Sequence, residues 1–278
     1  MIRKSVFKIE VYTIIVRLKS INLSVVMIKL SVVIITYNEE RLIAQCLNSV
    51  KTIADEIVIV DSYSSDNTKN ICLAHDVKFI EHPFEGHIQQ KNYAISQAGH
   101  PYILSLDADE ALDATAQKAI ATVKENWDAD GYYFNRLNNY CGKWIRHSGW
   151  YPDRKLRLWD SRKGKWKGQN PHDRYEMVDG ATTRVLDGDI LHFTIDSIHN
   201  HIKQINYFTD ISSKELYRKG KRATILHILF SPPVKFFRDF FLKRGFMDGI
   251  HGFLIAVNSA YAKFLKYTKL YMLQRKGQ

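Results

Sequence analysis

Four short apolar runs between residues 30 and 106 alternate with segments of helical periodicity, and this alternation constrains the fold more than any other feature. The runs are Leu30–Thr36, Ile57–Val60, Val77–Ile80 and Tyr102–Leu106. The first run is continuous and rich in β-branched residues, which is typical of a strand covered on both faces. Because the intervening segments have helical spacing, the pattern predicts an α/β fold with a mostly parallel sheet flanked by helices.

A polar residue stands at or just beyond the end of each predicted strand. These residues are Thr36, Asp61, His82 and Asp107. The carboxyl ends of parallel strands meet at one edge of a sheet, and open α/β sheets bind their ligands there. The segment 36–40, which follows the first strand, lacks the glycines of a Rossmann dinucleotide site or a P-loop, so both of these sites are disfavoured.

Two carboxylates follow the fourth predicted strand. Asp107 and Asp109 are separated by one residue, so an extended backbone would point both side chains to the same side. Mg²⁺ and Mn²⁺ commonly bind few protein carboxylates together with substrate phosphates, which makes the pair a candidate metal site. For an isolated pair, an acidic turn that caps the next helix is the simpler explanation, so the metal hypothesis depends on the rest of the edge.

The pattern after residue 130 predicts three regions for the whole chain. Aromatic strands at 131–134, 155–159 and 190–193 indicate that an α+β half completes the cleft, and the chain is mainly helical from His201 onward. We therefore predict an N-terminal extension (1–28), a catalytic domain (29–200) and a helical tail (201–278). Met27 leads directly into the first strand and is a candidate for the start of translation.

The excess of positive charge is confined to the tail. Residues 201–278 contain 15 Lys and Arg against 4 Asp and Glu, whereas residues 1–200 contain 25 of each. The segment Pro233–Met247 sorts Phe onto one side of a predicted helix and Lys and Arg onto the other, as in helices that lie in a membrane interface. Packing of this helix on the catalytic domain is an open alternative. No segment approaches the roughly 18 apolar residues of a membrane span.

Four motifs of the predicted domain resemble those of the family 2 glycosyltransferases with the GT-A fold. They are LSVVIITYNEE, IVIVDSYSSDNT, the segment Gln90–Asn92 and LSLDADE. The later stretches WYPDRKLRLW and NPHD, with the helical tail, are similar to the branch that contains lipopolysaccharide-core β-glucosyltransferases. The resemblance implies inverting transfer of a hexose, glucose foremost, from a UDP-sugar to a lipopolysaccharide-core or other lipid-linked envelope glycan. It also implies Mg²⁺ or Mn²⁺ as cofactor.

The same resemblance implies which residues bind the donor. Asp61 would read the base, although a cap of the following turn explains it equally well, and Lys91 would approach the diphosphate unless it is a solvated helical lysine. The predicted nucleotide-sugar-binding residues are Thr36, Tyr37, Glu39, Asp61, Lys91 and Asp107. Asp109 would be the principal metal ligand with Asp107 beside it. His192 would be a third ligand or would contact the diphosphate, unless it is a packed core residue.

A second carboxylate must take the proton of the acceptor hydroxyl, well away from the metal. Related sequences place Glu directly after the His of the NPHD stretch, where this chain has Asp173, so Glu176 is an alternative base. Guanidinium and aromatic groups suit an acceptor with sugar rings and anionic substituents. The candidate acceptor-binding residues are Arg154, Arg157 and Trp150, although the aromatic residues here are also expected in a core.

Two other functions compete with this prediction. A polyprenyl-phosphate glycosyltransferase would use a similar domain, but we would expect two or more membrane-spanning helices, which the sequence lacks. A nucleic-acid-binding protein would fit a pI near 9.4, yet the basic residues are confined to one Phe-rich tail. We therefore predict an anionic membrane surface, not nucleic acid, as the partner of the tail, and peripheral attachment to the cytoplasmic face of the inner membrane.

Overall fold

The computed structural model describes residues 27–169 and 172–276, so the predicted N-terminal extension lies outside the described residues except for its last two positions. The strands are β1 (Leu30–Thr36), β2 (Glu56–Asp61), β3 (Lys78–Glu81), β4 (Tyr102–Asp107), β5 (Glu110–Leu112), β6 (Gly131–Tyr140), β7 (Lys143–Ile145), β8 (Asp153–Asp160), β9 (Gly164–Gln169), β10 (His172–Met177) and β11 (Thr183–Ile195). The helices are α1 (Ile43–Val50), α2 (Thr68–Leu73), α3 (His87–Ser96), α4 (Ala114–Glu125), α5 (Ile198–Arg218), α6 (Ile225–Phe237) and α7 (Gly249–Lys276).

Nine of the described strands form one sheet. Their order is β3-β2-β1-β4-β8-β6-β11-β5, and β7 pairs with the carboxyl-terminal end of β6. The first four strands are mutually parallel, β8 runs against β4 and β6, and β11 is parallel to β6. The prediction of a mostly parallel sheet is confirmed, and its four predicted N-terminal strands are β1 to β4.

Strand β1 is buried on both faces, as its continuous apolar sequence predicts. Val32 and Ile34 pack in one core cluster with α1, whereas Val33 packs in a second cluster on the opposite face, with Ala94 of α3. Because alternate strand residues point to opposite faces, both layers need apolar residues from one short segment. Burial of each such side chain contributes about 1.5–3 kcal/mol, which fixes the register and hence the position of the strand end.

Strands β9 and β10 form a separate hairpin that leans against α3. The side-chain amide of Asn92 donates to the Trp166 carbonyl at 3.0 Å and accepts from the Trp166 N–H at 3.1 Å. Trp166 and Tyr175 pack on Trp159 of β8 at ring distances of 5.7 and 3.8 Å. The hairpin is thereby held beside the carboxyl ends of the parallel strands.

The C-terminal region is helical from Ile198, in agreement with the sequence pattern, but the predicted helix Pro233–Met247 is wrong in its bounds. Helix α6 begins at Ile225, a wider turn covers Arg238–Leu242, and Arg244 adopts a left-handed conformation with φ of 55°. Gly245 then approaches the Asp239 carbonyl so closely that a Cβ atom would lie 2.8 Å from it. Tertiary packing of the turn therefore overrides the helical periodicity.

Helix α7 returns along α6 and α5 and is anchored to the sheet by a buried polar contact. The Tyr140 hydroxyl lies 2.9 Å from Nδ1 of His201, and the Asn258 amide lies 3.1 Å from both. In the part of the chain that the structure describes, no helix combines the length and apolar character needed to cross a membrane.

Candidate active site

A cavity of about 870 Å³ lies at the carboxyl ends of β1 and β4. Its walls are the β1–α1 loop, α3, the β9–β10 hairpin and β11. It brings together eight residues that the sequence predicts for the site, namely Thr36, Tyr37, Glu39, Lys91, Asp107, Asp109, Asp173 and His192. These residues come from points up to 156 positions apart, so the fold assembles them as the strand-end hypothesis requires.

Glu110, to which the sequence pattern gave no role, fixes the turn that carries the two aspartates. Its buried carboxylate accepts from the Asp107 N–H at 3.0 Å and from Nη2 of Arg157 at 2.6 Å. The same Nη2 donates to Oδ2 of Asp107 at 3.1 Å. Burial alone would lower the pKa of Arg157, but Glu110 and Asp107 raise it above its usual range.

Arg157 therefore lies beneath the site, and this position does not fit its predicted role in acceptor binding. The guanidinium is buried, while Arg154 on the same strand is exposed. The pairing of β8 with β6 shifts register at Arg157, which faces no residue of β6, so strand alternation does not set the direction of its side chain. Arg154 and Trp150 lie outside the residues that line the cavity, and Trp150 packs on Tyr140 at 5.7 Å, so their acceptor role stays a prediction.

Lys91 lies between two carboxylates of the cavity. Its Nζ is 3.1 Å from Oδ1 of Asp107 and 2.8 Å from Oδ2 of Asp173, and it lies 4.5 Å from the centre of the Trp166 ring. Lys91 is only 5 % exposed. It is therefore a buried site residue and not a solvated helical lysine. Burial alone would raise the pKa of Asp107, but Lys91 and Arg157 hold it well below its usual range.

His192 lies so close to Asp109 that either a proton or a metal ion is needed to join the two groups. The Asn138 amide donates to the Trp150 carbonyl at 3.3 Å, so its oxygen faces Nδ1 of His192 at 2.7 Å, and Nδ1 must donate. In the neutral ring, Nε2 then presents a lone pair to Oδ2 of Asp109, only 3.2 Å away. A proton on Nε2 or a metal ion removes this repulsion.

The donor set fits Mg²⁺ or Mn²⁺ held together with a substrate diphosphate. Asp109 and His192 would hold the ion, with Asp107 beside them, and Asn138 would orient the imidazole. No cluster of three His, Cys, Asp or Glu side chains arranged for a metal occurs among residues 27–169 and 172–276. Mg²⁺ in proteins commonly takes further ligands from substrate phosphates and water. When bound, such an ion supplies charge stabilisation to a departing diphosphate.

Asp61 lies behind the cavity wall. Its fully buried carboxylate accepts from the Ser64 N–H at 2.7 Å and from the Ser64 hydroxyl, so it shapes the turn after β2. This is the turn-capping alternative, and base reading by Asp61 stays a prediction. Thr36 and Tyr37 do line the cavity, where the buried Thr36 hydroxyl has no hydrogen-bond partner among the described residues and the Tyr37 ring is 58 % exposed. An exposed ring at this position is free to stack on a nucleotide base.

The hairpin separates the two candidate bases. Asp173 lines the cavity, whereas Glu176 is bound by Arg174 at 2.7 Å and by Lys167 at 3.2 Å, contacts that lower its pKa. Because the two carboxylates are three residues apart in one strand, they point to opposite faces. The geometry therefore favours Asp173 over Glu176 as the proton acceptor, which remains a prediction.

Glu39 adds a titratable group to the donor side of the cavity. Burial, with Asp109 and Asp66 nearby, raises the pKa of Glu39 to about 7, and Arg41 offsets only part of this effect. The carboxyl group is thus neutral below this pH and becomes an anion above it. Without a metal ion, that added negative charge opposes binding of a diphosphate.

We expect the affinity of the metal-free protein for UDP to fall as the pH rises from 6 to 8. In the Glu39→Gln variant the affinity should fall about threefold less over the same pH range. Calorimetric titration of UDP in the presence of a chelator measures the effect. The ionisation of UDP itself contributes equally to both proteins, so the difference between them isolates Glu39. Parallel pH profiles for the two proteins would contradict the prediction.

A mostly parallel sheet with helices on both faces and an acidic strand end at the ligand edge is the architecture that the sequence resemblance predicts for a glycosyltransferase of the GT-A class. A family profile described as Glycosyl transferase family 2 matches residues 31–187, more than half of the chain. The chain therefore belongs to glycosyl transferase family 2. Among the sequence hypotheses, this agrees with the resemblance of the four motifs.

Several known proteins are similar to the chain over most of its length. An uncharacterized glycosyltransferase of Rickettsia bellii is 31 % identical over 252 residues, with 87 % of this chain and 86 % of that protein covered. The lipopolysaccharide core biosynthesis glycosyltransferase LpsC of Rhizobium meliloti is 28 % identical, with 87 % and 92 % covered. The crystal structure of S. aureus TarS in complex with UDP-GlcNAc has a TM-score of 0.44 at 16 % identity, with 90 % and 93 % covered.

Proposed function

We propose that the protein is an inverting, metal-dependent hexosyltransferase that moves glucose or a similar sugar from its UDP conjugate to a lipopolysaccharide-core or other cell-envelope glycan. The observation that carries this proposal is the presence of two chemically distinct ends in one cavity. Asp109 and His192 form a cation-seeking end at the sheet edge, and Asp173 presents a carboxylate from the hairpin. The similarity to a protein named for lipopolysaccharide core biosynthesis supports the class of acceptor.

Each of the site residues has a separate role in the proposed sugar transfer. The oxygen of an acceptor hydroxyl forms a bond to the anomeric carbon of the sugar, and its proton passes to Asp173. The bond between that carbon and the β-phosphate oxygen breaks, and its electron pair leaves with UDP. Lys91 stabilises the charge on the departing diphosphate, and a cation, which Asp109 and His192 would hold, would supply further positive charge there. Tyr37 provides a surface for the base.

A panel of UDP-sugars tests this function without knowledge of the acceptor. UDP-glucose, UDP-galactose and UDP-GlcNAc are each incubated with the protein and Mn²⁺, and UDP release is measured with and without a membrane glycan extract. We expect slow hydrolysis of one preferred donor, faster release with the extract, and loss of both with a chelator. No UDP release from any donor under these conditions would refute the proposed function.

We further propose that the C-terminal helices attach the protein peripherally to an anionic membrane at its cytoplasmic face. Eleven apolar side chains in residues 225–250 are each at least half exposed: Ile225, Leu226, Leu229, Phe230, Val234, Phe237, Phe241, Leu242, Phe246, Met247 and Ile250. A surface this rich in large apolar groups is typical of an interaction site. The predicted alternative, a helix fully packed on the catalytic domain, does not fit this exposure.

The charge on the same segment supports an anionic membrane as the partner. Arg238, Lys243 and Arg244 are exposed, whereas Asp239 and Asp248, the two carboxylates of the described residues after 215, are both buried. Asp239 is additionally neutralised by Lys235 at 2.5 Å. An apolar surface that exposes cations and no carboxylate complements an anionic lipid surface, which draws basic residues at about 1 kcal/mol each.

We expect the protein to float with vesicles containing anionic phosphatidylglycerol at low salt and to bind neutral phosphatidylcholine vesicles weakly. The double substitution Phe237→Ser and Leu242→Ser removes apolar groups that are 59 % and 81 % exposed, at a cost of about 2 kcal/mol or thirtyfold in binding. Val185→Ser, at an apolar position on β11 that is 48 % exposed, is the control. Equal flotation of all three proteins would contradict membrane attachment through this segment.

A further inference from the structure

The carboxylate that the proposed mechanism uses as a base is held by a cation in the described structure. Lys91 donates to Oδ2 of Asp173 at 2.8 Å, and Lys91 is the one ion-pair partner of Asp173 within the described part of the chain. The ammonium group thereby occupies the carboxylate oxygen that faces it, and a charge-assisted hydrogen bond of this kind is among the stronger contacts in a protein. While the pair is intact, this oxygen is engaged with Lys91 and is not open to the hydroxyl of an acceptor sugar.

Lys91 is at the same time within reach of the place where a donor diphosphate would lie. Its Nζ is already 3.1 Å from Oδ1 of Asp107, at the sheet edge next to Asp109. Nη2 of Arg157 lies 3.1 Å from Oδ2 of Asp107, so Asp107 keeps a cationic partner if Lys91 moves. Asp173 has no such substitute among the residues described. The arrangement is thus asymmetric: loss of Lys91 changes Asp173 much more than Asp107.

We propose that Lys91 exchanges partners when the donor binds: its ammonium group leaves Asp173 and pairs with the donor diphosphate. The base is then released only in the donor-loaded protein, which imposes an order in which donor binding precedes deprotonation of the acceptor. This inference rests on the proposed function and adds a regulatory role for the Lys91–Asp173 pair. The exchange requires only rotation of the lysine side chain, because the helix and the hairpin stay joined through Asn92.

The exchange predicts an unusual result for UDP binding. UDP must break the Lys91–Asp173 pair, so Asp173→Asn, which removes the competing charge, should tighten UDP binding about fivefold in the presence of Mn²⁺. Lys91→Met should weaken UDP binding by about tenfold, since the diphosphate loses a cation. In the Lys91→Met background, Asp173→Asn should change the dissociation constant by less than about twofold.

Calorimetric titration of UDP into the four proteins of this cycle decides the matter. Glu176→Gln is the matched control, because it neutralises a carboxylate of the same strand that faces away from the cavity, and it should leave UDP binding unchanged. Thermal unfolding of each variant shows that it is folded, and Lys91→Gln replaces Lys91→Met if the latter is not. The Asp173→Asn measurement stands by itself in either case.

Three outcomes overturn the exchange: UDP binding that is unchanged in Asp173→Asn, binding that is weaker in Asp173→Asn, or an equal gain in the Lys91→Met background. The first two indicate a pair that only supports the fold, and the third indicates a general charge effect. A wild-type protein that does not bind UDP at all refutes the proposed function instead, so the two failures are distinguishable.

Discussion

Asp109→Asn is expected to lower the rate of sugar transfer by about a thousandfold and to abolish its dependence on Mn²⁺. The substitution keeps the size of the side chain but removes the charge that faces Nε2 of His192 at 3.2 Å. The cation is then held by fewer anionic ligands, and the departing diphosphate loses most of its stabilisation. Initial rates of UDP release at a series of Mn²⁺ concentrations measure both effects.

A nearby aspartate provides a matched control for this change. Asp113 caps helix α4 by accepting the Ala116 N–H at 2.7 Å, and asparagine is an equally good cap at this position. Asp113→Asn should therefore keep the transfer rate within about twofold of wild type. If Asp109→Asn retained a metal-stimulated rate near that of this control, Asp109 would not be the principal ligand.

Asp173→Asn is expected to lower the turnover number by about a thousandfold while leaving UDP bound at least as tightly as in wild type. Asparagine at this position cannot accept the proton of the acceptor hydroxyl. A loss of turnover without a loss of donor affinity separates a proton acceptor from a residue that merely holds the donor.

Glu176→Gln decides between the two carboxylates of the hairpin. Glu176 is paired with Arg174 and Lys167 on the face away from the cavity, so its neutralisation should change turnover by less than about threefold. Single-turnover rates with saturating donor, measured for both variants, keep donor binding out of the comparison. A large loss in Glu176→Gln with normal turnover in Asp173→Asn would reverse the assignment.

The parts of the fold that local sequence determines were predictable. A strand buried on both faces needs a continuous apolar run, and Leu30–Thr36 supplies one, so β1 and the ligand edge at Thr36 follow from the sequence. The same logic gives β2 to β4 and places Asp107 at that edge. The existence of an acidic site at the end of the sheet is therefore predictable from the amino-acid sequence alone.

The ion-pair partners of the charged side chains in the site could not be predicted in this way, because they come from distant segments of the chain. Arg157 meets Glu110 and Asp107 across 47 and 50 residues, and Lys91 meets Asp173 across 82. The pairing of β8 with β6 shifts register at Arg157, so the regular alternation that a sequence pattern predicts does not hold at that residue. In the tail, the buried Asp239 and the close approach of Gly245 break a helix that periodicity predicts as continuous.

The stereochemistry of the reaction tests the central claim most directly: a single displacement with the diphosphate held at Asp109 and the proton taken by Asp173. Time-resolved proton NMR of UDP-α-glucose hydrolysis, or of the preferred UDP-α-sugar, detects the anomer released before it equilibrates in water. We expect the β anomer first, formed at a rate that requires both aspartates. Release of the α anomer first would require a second displacement or front-side attack, and would contradict this division of roles.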